Sequence, residues 1–218
     1  MIEIGPGKGA LTSRLLDRAD GVVAIELDEA LAAGLREKFP DPRLEIITGD
    51  VLDIDLNQWG PSVVAGNLPY YISTAIVSRV LAPGSLLTRG VFLVQKEVAE
   101  RITASPGSRD YGYLSVEAQL FASVKTLFEV RPAAFYPPPK VDSAVISFER
   151  RPANPAIDSP ADFLRFVRLC FHQKRKTIRN NLVGAYGNTL IDAWPEARLR
   201  AEQLSLEKFA ELYHRLVG

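Results

Sequence analysis

Four consecutive residues, Asn67-Leu68-Pro69-Tyr70, are the best equipped for chemistry in this chain. The asparagine side chain offers a carbonyl oxygen that accepts hydrogen bonds. Leu68 adds a main-chain carbonyl beside it. Pro69 sets the turn and contributes no N–H. Tyr70 brings a flat ring. Two acceptors next to one aromatic face suit an exocyclic amino group on a planar base. A second ring, Phe135, heads the run Phe135-Tyr136-Pro137-Pro138-Pro139. Polyproline is stiff and loses little entropy on ordering. Phe135 is therefore a candidate second plate facing Tyr70; a hydrophobic plug under a loop accounts for it equally well.

A second constellation begins at Gly5-Pro6-Gly7-Lys8-Gly9. Glycines so spaced let a helix amino end and its free N–H groups approach a ligand closely. The run lacks the Gly-Lys-Ser/Thr ending of a phosphate-binding P-loop, and a tight structural turn would use the same residues. Glu26 follows about 20 residues on, where an acid typically accepts hydrogen bonds from ribose hydroxyls. A solvated charge at a strand end is the alternative. Asp50 follows Gly49 and suits an adenine amino group, although Gly-Asp often only turns the chain. Val51 and Leu52 would supply apolar contact to a ring.

These residues need elements to position them. Residues 1–4, 22–26, 44–47, 63–65 and 90–94 are short, apolar and largely β-branched, and read as buried strands. Residues 10–19, 29–39 and 72–81 read as helices; Pro40 and Pro83-Gly84 stop two of them. Strands alternating with helices predict an α/β fold, a mostly parallel sheet with helices on both faces. Gly5, Glu26 and Asn67 then stand at carboxyl ends of strands, the edge where open α/β sheets bind ligands. Further on, 97–104 and 114–122 read as helices, and 126–130 and 144–148 as strands. Residues 151–160 are proline-rich and read as a linker. That divides the chain into an α/β domain, 1–152, and a small all-α domain, 153–218, whose last helix starts behind Ser205 as N-cap.

Between Phe163 and Ile191 stand six basic residues and no acidic one. Arg165, Arg168, His172, Arg175 and Arg179 recur at helical spacing, so a continuous helix would align them in one stripe. With Lys174 and Lys176 included, the candidate nucleic-acid-contacting set is Arg165, Arg168, Lys174, Arg175, Lys176 and Arg179. A charge run is often merely a solvated face, but such faces usually mix signs.

The bulk properties narrow the classes. The 218 residues balance 26 basic against 26 acidic side chains, so whole-chain charge implies no partner. The one cysteine, Cys170, excludes an internal disulfide and fits a reducing compartment. Its neighbours Leu169 and Phe171 mark it as a buried thiol. No apolar run is long enough to span a bilayer, and no signal peptide is visible, so a cytoplasmic protein is expected. No His, Cys or carboxylate cluster has metal-ligand spacing, and no Ser-His-Asp arrangement is present.

Together, Glu3-Ile4-Gly5-Pro6-Gly7-Lys8-Gly9, Glu26, Gly49-Asp50 and Gly66-Asn67-Leu68-Pro69-Tyr70 resemble S-adenosylmethionine-dependent methyltransferases with a Rossmann-like class I sheet. The run from Phe135 to Ser143 and the run from Phe171 to Leu182 sharpen that likeness. Both are similar to the ribosomal RNA adenine N6-dimethyltransferases, over essentially the whole chain. The resemblance implies S-adenosyl-L-methionine as cofactor. It implies dimethylation of two adjacent adenosines near the 3′ end of small-subunit (16S) rRNA. It also implies the assembling 30S subunit as partner and a monomer as the working form. Carried over by motif, the cofactor residues are Glu3, Gly5, Gly7, Gly9, Glu26, Leu27, Asp50, Val51 and Asn67. The catalytic set is Asn67, Leu68, Pro69, Tyr70 and Phe135. Relatives begin earlier, with a Gln-Asn-Phe-containing segment over the cofactor, so an amino-terminal segment is expected to be missing here. Two alternatives stand beside this reading. One is a large-subunit rRNA adenine N6-methyltransferase; the other is a non-catalytic ribosome-assembly factor that binds RNA on the same fold. A nicotinamide dehydrogenase shares the glycine turn, but Asn67-Leu68-Pro69-Tyr70 gives it no hydride chemistry.

Overall fold

The structure, a computed structural model, describes residues 1–152 and 156–217. Its strands are β1 (Ile2–Ile4), β2 (Val22–Glu26), β3 (Leu44–Thr48), β4 (Ser62–Asn67), β5 (Leu87–Gln95), β6 (Ala122–Val130) and β7 (Ser143–Arg150). The helices are α1 (Ala10–Leu16), α2 (Glu29–Lys38), α3 (Ser73–Leu81), α4 (Lys96–Thr103), α5 (Tyr113–Phe121), α6 (Pro160–Cys170), α7 (Ile178–Tyr186), α8 (Asn188–Asp192) and α9 (Leu206–Val217). The seven strands form one sheet in the order β3-β2-β1-β4-β5-β7-β6. The neighbours from β3 through β5 pair in parallel, and β7 runs antiparallel to β5. The first five strands are parallel, as the alternating pattern predicts, and the antiparallel β7 makes the sheet mixed.

From the β1–β4 neighbours, chain order runs outward through β2 and β3 on one side and through β5 on the other. A crevice opens at such a switch point, outside the carboxyl ends of the strands. In register Ile4 stands beside Ile25 on one side and Gly66 on the other. The residues that leave these three strands, Gly5, Glu26 and Asn67, thus emerge side by side. Gly66 makes the close approach feasible: a Cβ there would lie 2.5 Å from the Ile4 carbonyl oxygen.

Local chemistry sets the helix starts. The Asp28 side chain accepts from the Ala30 and Leu31 amides at 2.8 and 2.9 Å and caps α2. Such a cap contributes about 1 kcal/mol. Ser205 accepts from the Lys208 amide at 3.3 Å and starts α9, as expected from its type and place.

By internal contacts the chain falls into two compact units. One is Met1–Ala99 with Val124–Arg150, the other Glu100–Ser123 with Arg151–Gly218. Residues Glu100–Ser123 thus pack with the carboxyl-terminal helices, whereas the sequence division at 152/153 places them in the α/β domain. The reason lies in α5, whose Val116, Leu120 and Phe121 belong to the helical core. That core gathers Phe163, Phe166, Ile178, Leu182, Phe209 and Tyr213, with ring centroids 5.5 Å apart for Phe163–Tyr213 and 5.8 Å for Phe166–Tyr213. Cys170 is fully buried in it, and burial pushes its thiol well above the ordinary range. Of the expected linker 151–160, residues 153–155 lie outside the described residues.

The basic stretch departs from expectation. The chain between Phe163 and Ile191 is not one helix: α6 ends at Cys170, residues 171–177 turn, and α7 starts at Ile178. Thr177 caps α7 by accepting from the Asn180 amide at 3.3 Å. Asn181 then reaches back across the turn. Its Nδ2 donates to the Cys170 carbonyl at 2.7 Å, and its Oδ1 accepts from the Gln173 amide at 3.1 Å. A terminal carbonyl of α6 is satisfied this way. The five-residue stripe is accordingly broken into three groups.

Candidate active site

Gly5, Gly7 and Gly9 all adopt left-handed backbone, with φ of 66°, 56° and 80°. Only glycine visits that region at low cost. At Gly9, the N-cap of α1, a Cβ would also meet the Phe39 ring at 2.3 Å. The loop is pinned to Glu26: the Gly7 amide donates to one carboxylate oxygen at 2.9 Å and the Asp28 amide to the other at 3.1 Å. Each oxygen keeps a second lone pair.

A cavity of about 450 Å³ opens at this edge. Its apolar lining includes Ile4, Val51, Ile72 and Ile76, and its polar lining is Glu26, Asp28 and Asp50. Gly5, Gly49 and Pro69 complete much of the wall. Leu27 and Tyr71 line it too, and are 59% and 80% exposed. Asp50 uses Oδ1 to accept from the Leu52 amide at 2.8 Å, so it both turns the chain and presents a carboxylate. The set of acceptors suits an adenosine. Glu26 can accept from ribose hydroxyls and Asp50 from an exocyclic amine, while Leu27 and Val51 offer apolar surface to a ring.

Gly5, Glu26, Leu27, Asp50 and Val51 of the sequence-derived cofactor set line this cavity. Leu52 does not. Gly7 lines a separate cleft with Lys8 and Lys38, and Asn67 lines the cavity described next. Glu3 lines neither cavity; it is 1% exposed and accepts from the Thr12 hydroxyl at 2.6 Å. Burial pushes its carboxyl above the ordinary glutamate value; the Thr12 bond opposes that shift, and the Glu26 charge reinforces it. The sequence reading missed Tyr71, Ile72 and Ile76. A signal existed in the apolar spacing of Ile72 and Ile76, one helical turn apart directly after the tetrapeptide.

The second cavity, about 280 Å³, brings together Asn67, Leu68, Pro69 and Tyr70 with Phe135, Pro137 and Pro139. The five residues singled out for catalysis therefore share one space. Pro69 lines both cavities and forms the wall common to them. Around it, the Leu68 amide donates to the Leu93 carbonyl at 3.1 Å and the Ile72 amide to the Pro69 carbonyl at 3.2 Å. The Asn67 side chain is exposed and, like the Leu68 carbonyl, has no hydrogen-bond partner among the described residues. Leu68 as a whole is only 1% exposed, so of the two acceptors the Asn67 side chain is the open one. The Tyr70 hydroxyl is hydrogen-bonded to Ser143 Oγ at 2.6 Å.

The basic residues of the helical unit are unequal. Arg165 pairs with Asp162, and Arg179 binds both carboxylate oxygens of Asp192, the nearer at 2.5 Å. That hydrogen bond holds the Asp192 carboxyl below its usual range. Both acids stand just outside the acid-free window. Arg168 stacks over the Tyr113 ring at 4.8 Å. Lys174 donates to the Arg109 carbonyl at 2.5 Å. Arg175 and Lys176 are exposed on the turn and make no ion pair with the described residues. Among the described residues no His, Cys, Asp and Glu cluster could hold a metal ion, and no helix is long and apolar enough to cross a membrane.

The sheet order, the glycine turn beside β4 and the paired cavities define a Rossmann-like methyltransferase of class I. Comparison with known proteins narrows the class. Residues 1–217 match the ribosomal RNA adenine dimethylase family. The chain is 44% identical over 216 residues to a ribosomal RNA small subunit methyltransferase A from Chlorobium luteolum, covering 98% of this chain and 78% of that one. It is 44% identical over 229 residues to the protein of that name from Acidobacterium capsulatum, covering 99% and 81%. Among solved structures, a dimethyladenosine transferase from Plasmodium falciparum superposes with a TM-score of 0.82 at 25% identity, over 97% of this chain and 87% of the other. The 23S rRNA methyltransferase ErmE superposes with a TM-score of 0.72 at 29% identity, over 100% and 90%. The chain belongs to the ribosomal RNA adenine dimethylase family, and it is an rRNA adenine dimethyltransferase.

Proposed function

We propose that this enzyme uses S-adenosyl-L-methionine to dimethylate N6 of two adjacent adenosines near the 3′ end of small-subunit (16S) rRNA, acting as a monomer on the assembling 30S subunit. One observation carries the reading: a cavity with an adenosine-type lining and a cavity holding Asn67, Tyr70 and Phe135 meet at Pro69. The small-subunit target rests on the names of the two relatives at 44% identity.

The cofactor supplies an electrophilic methyl group on a sulfonium, and the residues of this chain do the rest. Gly5, Glu26, Leu27, Asp50 and Val51 hold it in the first cavity, with Gly7, Gly9 and Glu3 shaping the loop behind. An extruded adenine enters the second cavity. Leaving its stack costs a few kcal/mol. Stacking on Tyr70 and Phe135, at about 1–3 kcal/mol per ring, offsets most of that. The Asn67 side-chain oxygen and the Leu68 carbonyl accept the two N6 hydrogens. That favours a pyramidal nitrogen whose lone pair points along the transfer line, and it supports the positive charge that develops there. The proton leaves an already cationic amine, so no strong base is needed beforehand. N6-methyladenine keeps one N–H for a second round. The helical unit contacts rRNA phosphates through Arg165, Arg168, Lys174, Arg175, Lys176 and Arg179, with Arg175 and Lys176 the most available.

The test is transfer of labelled methyl to unmethylated 30S particles, with 50S particles and free 23S rRNA as competitors. Dimethylation of two neighbouring adenosines in the small-subunit RNA is expected. The likeness to ErmE favours the second reading, a large-subunit target; preferential labelling of 23S rRNA establishes it and overturns the first. Binding without transfer overturns the catalytic assignment.

A further inference from the structure

We propose that Ser143 is a positioning residue for methyl transfer, acting through the Tyr70 hydroxyl; the proposal rests on the assignment of Tyr70 as a base-stacking plate. Ser143 opens β7, is fully buried, and lies opposite Gln95 of β5 in register. Its hydroxyl meets the Tyr70 hydroxyl at 2.6 Å, the one hydrogen bond that Oη makes to the described residues. The other end of Tyr70 is held separately, because its carbonyl accepts from Ser73 Oγ at 3.2 Å at the start of α3. A tyrosine ring pivots about two bonds. Tying the main chain at one end and the hydroxyl at the other removes that freedom, and the ring presents a fixed face to the cavity.

Ser143 also closes the loop that bears Phe135, Pro137 and Pro139. The preceding residue, Asp142, accepts from the Lys96 amide at 2.9 Å, so this end of the loop is anchored to the strand–helix junction after β5. One buried hydroxyl therefore links the tetrapeptide, which carries one ring, to the segment that carries the other. In-line transfer tolerates little misplacement: about 1 Å can cost a hundredfold in rate. A serine that touches neither base nor cofactor thus sets the plane in which the base is held.

A double-mutant cycle on the full chain tests this. Ser143→Ala and Tyr70→Phe each delete the same bond. Each is expected to lower kcat by about tenfold, with little change in KM for the cofactor, as a small displacement of the base predicts. The double variant is expected to be no slower than the worse single variant, and Ser143→Thr is expected to recover most of the rate. Additive losses, a loss confined to KM, or wild-type turnover in Ser143→Ala overturns the proposal. Tyr70→Phe leaves the buried serine intact, so it decides the matter if Ser143→Ala does not fold. NMR of tyrosine-labelled protein without RNA reads the order of the Tyr70 ring directly. Faster ring motion in Ser143→Ala is expected, and unchanged ring order overturns the proposal. This readout stands even if the enzyme methylates a different RNA, so it separates failure here from failure of the functional reading.

Discussion

The switch-point edge of the sheet and the basic segment of the helical unit are both built from short, recognisable runs, yet they behave differently. At the sheet edge the sequence runs and the spatial site coincide: Asn67, Leu68, Pro69, Tyr70 and Phe135 line one cavity. In the basic segment the run is real but its geometry is not that of a stripe, and its charges are partly spent. Arg165 and Arg179 are paired with Asp162 and Asp192, acids just beyond the window that made the stretch look uniformly basic. A site made by backbone geometry depends on a few residues with strong local preferences. A site made by a charged helix face depends on the helix remaining continuous and on what packs beside it.

The largest expected effect tests the sheet edge. Asn67→Ala should cut methyl transfer by at least about a hundredfold, the scale of a lost transition-state hydrogen bond, while equilibrium cofactor binding stays near wild type. Asn67 lines the cavity that holds Phe135 and not the one that holds Glu26, so a parallel loss of cofactor affinity breaks the proposed division of labour.

The next effect tests the turn that breaks the stripe. Asn181→Ala removes the bonds to the Cys170 carbonyl and the Gln173 amide. A loss of about 1–3 kcal/mol is expected from leaving such groups unpaired, read by denaturant unfolding. No loss would show that residues 171–177 hold their conformation without Asn181.

Smaller still is the contrast between arginines. Arg175→Gln should reduce the slope of log affinity for rRNA against log salt by about one. Arg179→Gln should reduce it less, because Asp192 already neutralises that guanidinium. Equal reductions would show that the ion pair opens on RNA.

The smallest effect concerns Glu3. Its raised pKa means the folded state binds the Glu3 proton more tightly than the unfolded chain does. Its contribution to stability is therefore full below the ordinary glutamate pKa and is lost as pH rises through the higher folded value. Glu3→Gln should remove that decline and raise the unfolding midpoint slightly at neutral pH. A midpoint that falls at neutral pH would mean that the charged form is the one the fold prefers.

Sequence alone determined the strand–helix alternation, the glycine turn, the acid that ends β2 and the Asn67 tetrapeptide. These rest on local preferences: β-branched runs favour strands, and glycine alone enters left-handed backbone cheaply. Tertiary structure decided the rest. The break after Cys170 depends on Asn181 reaching back across a turn, and the grouping of Glu100–Ser123 with the helical core depends on which face of α5 is buried. Glu3 is buried and does not line the cavity beside Glu26, and Ser143 meets Tyr70 from a distant strand. Each of these depends on a partner outside the residue's own strand, helix or turn, and local preference carries no record of such a partner.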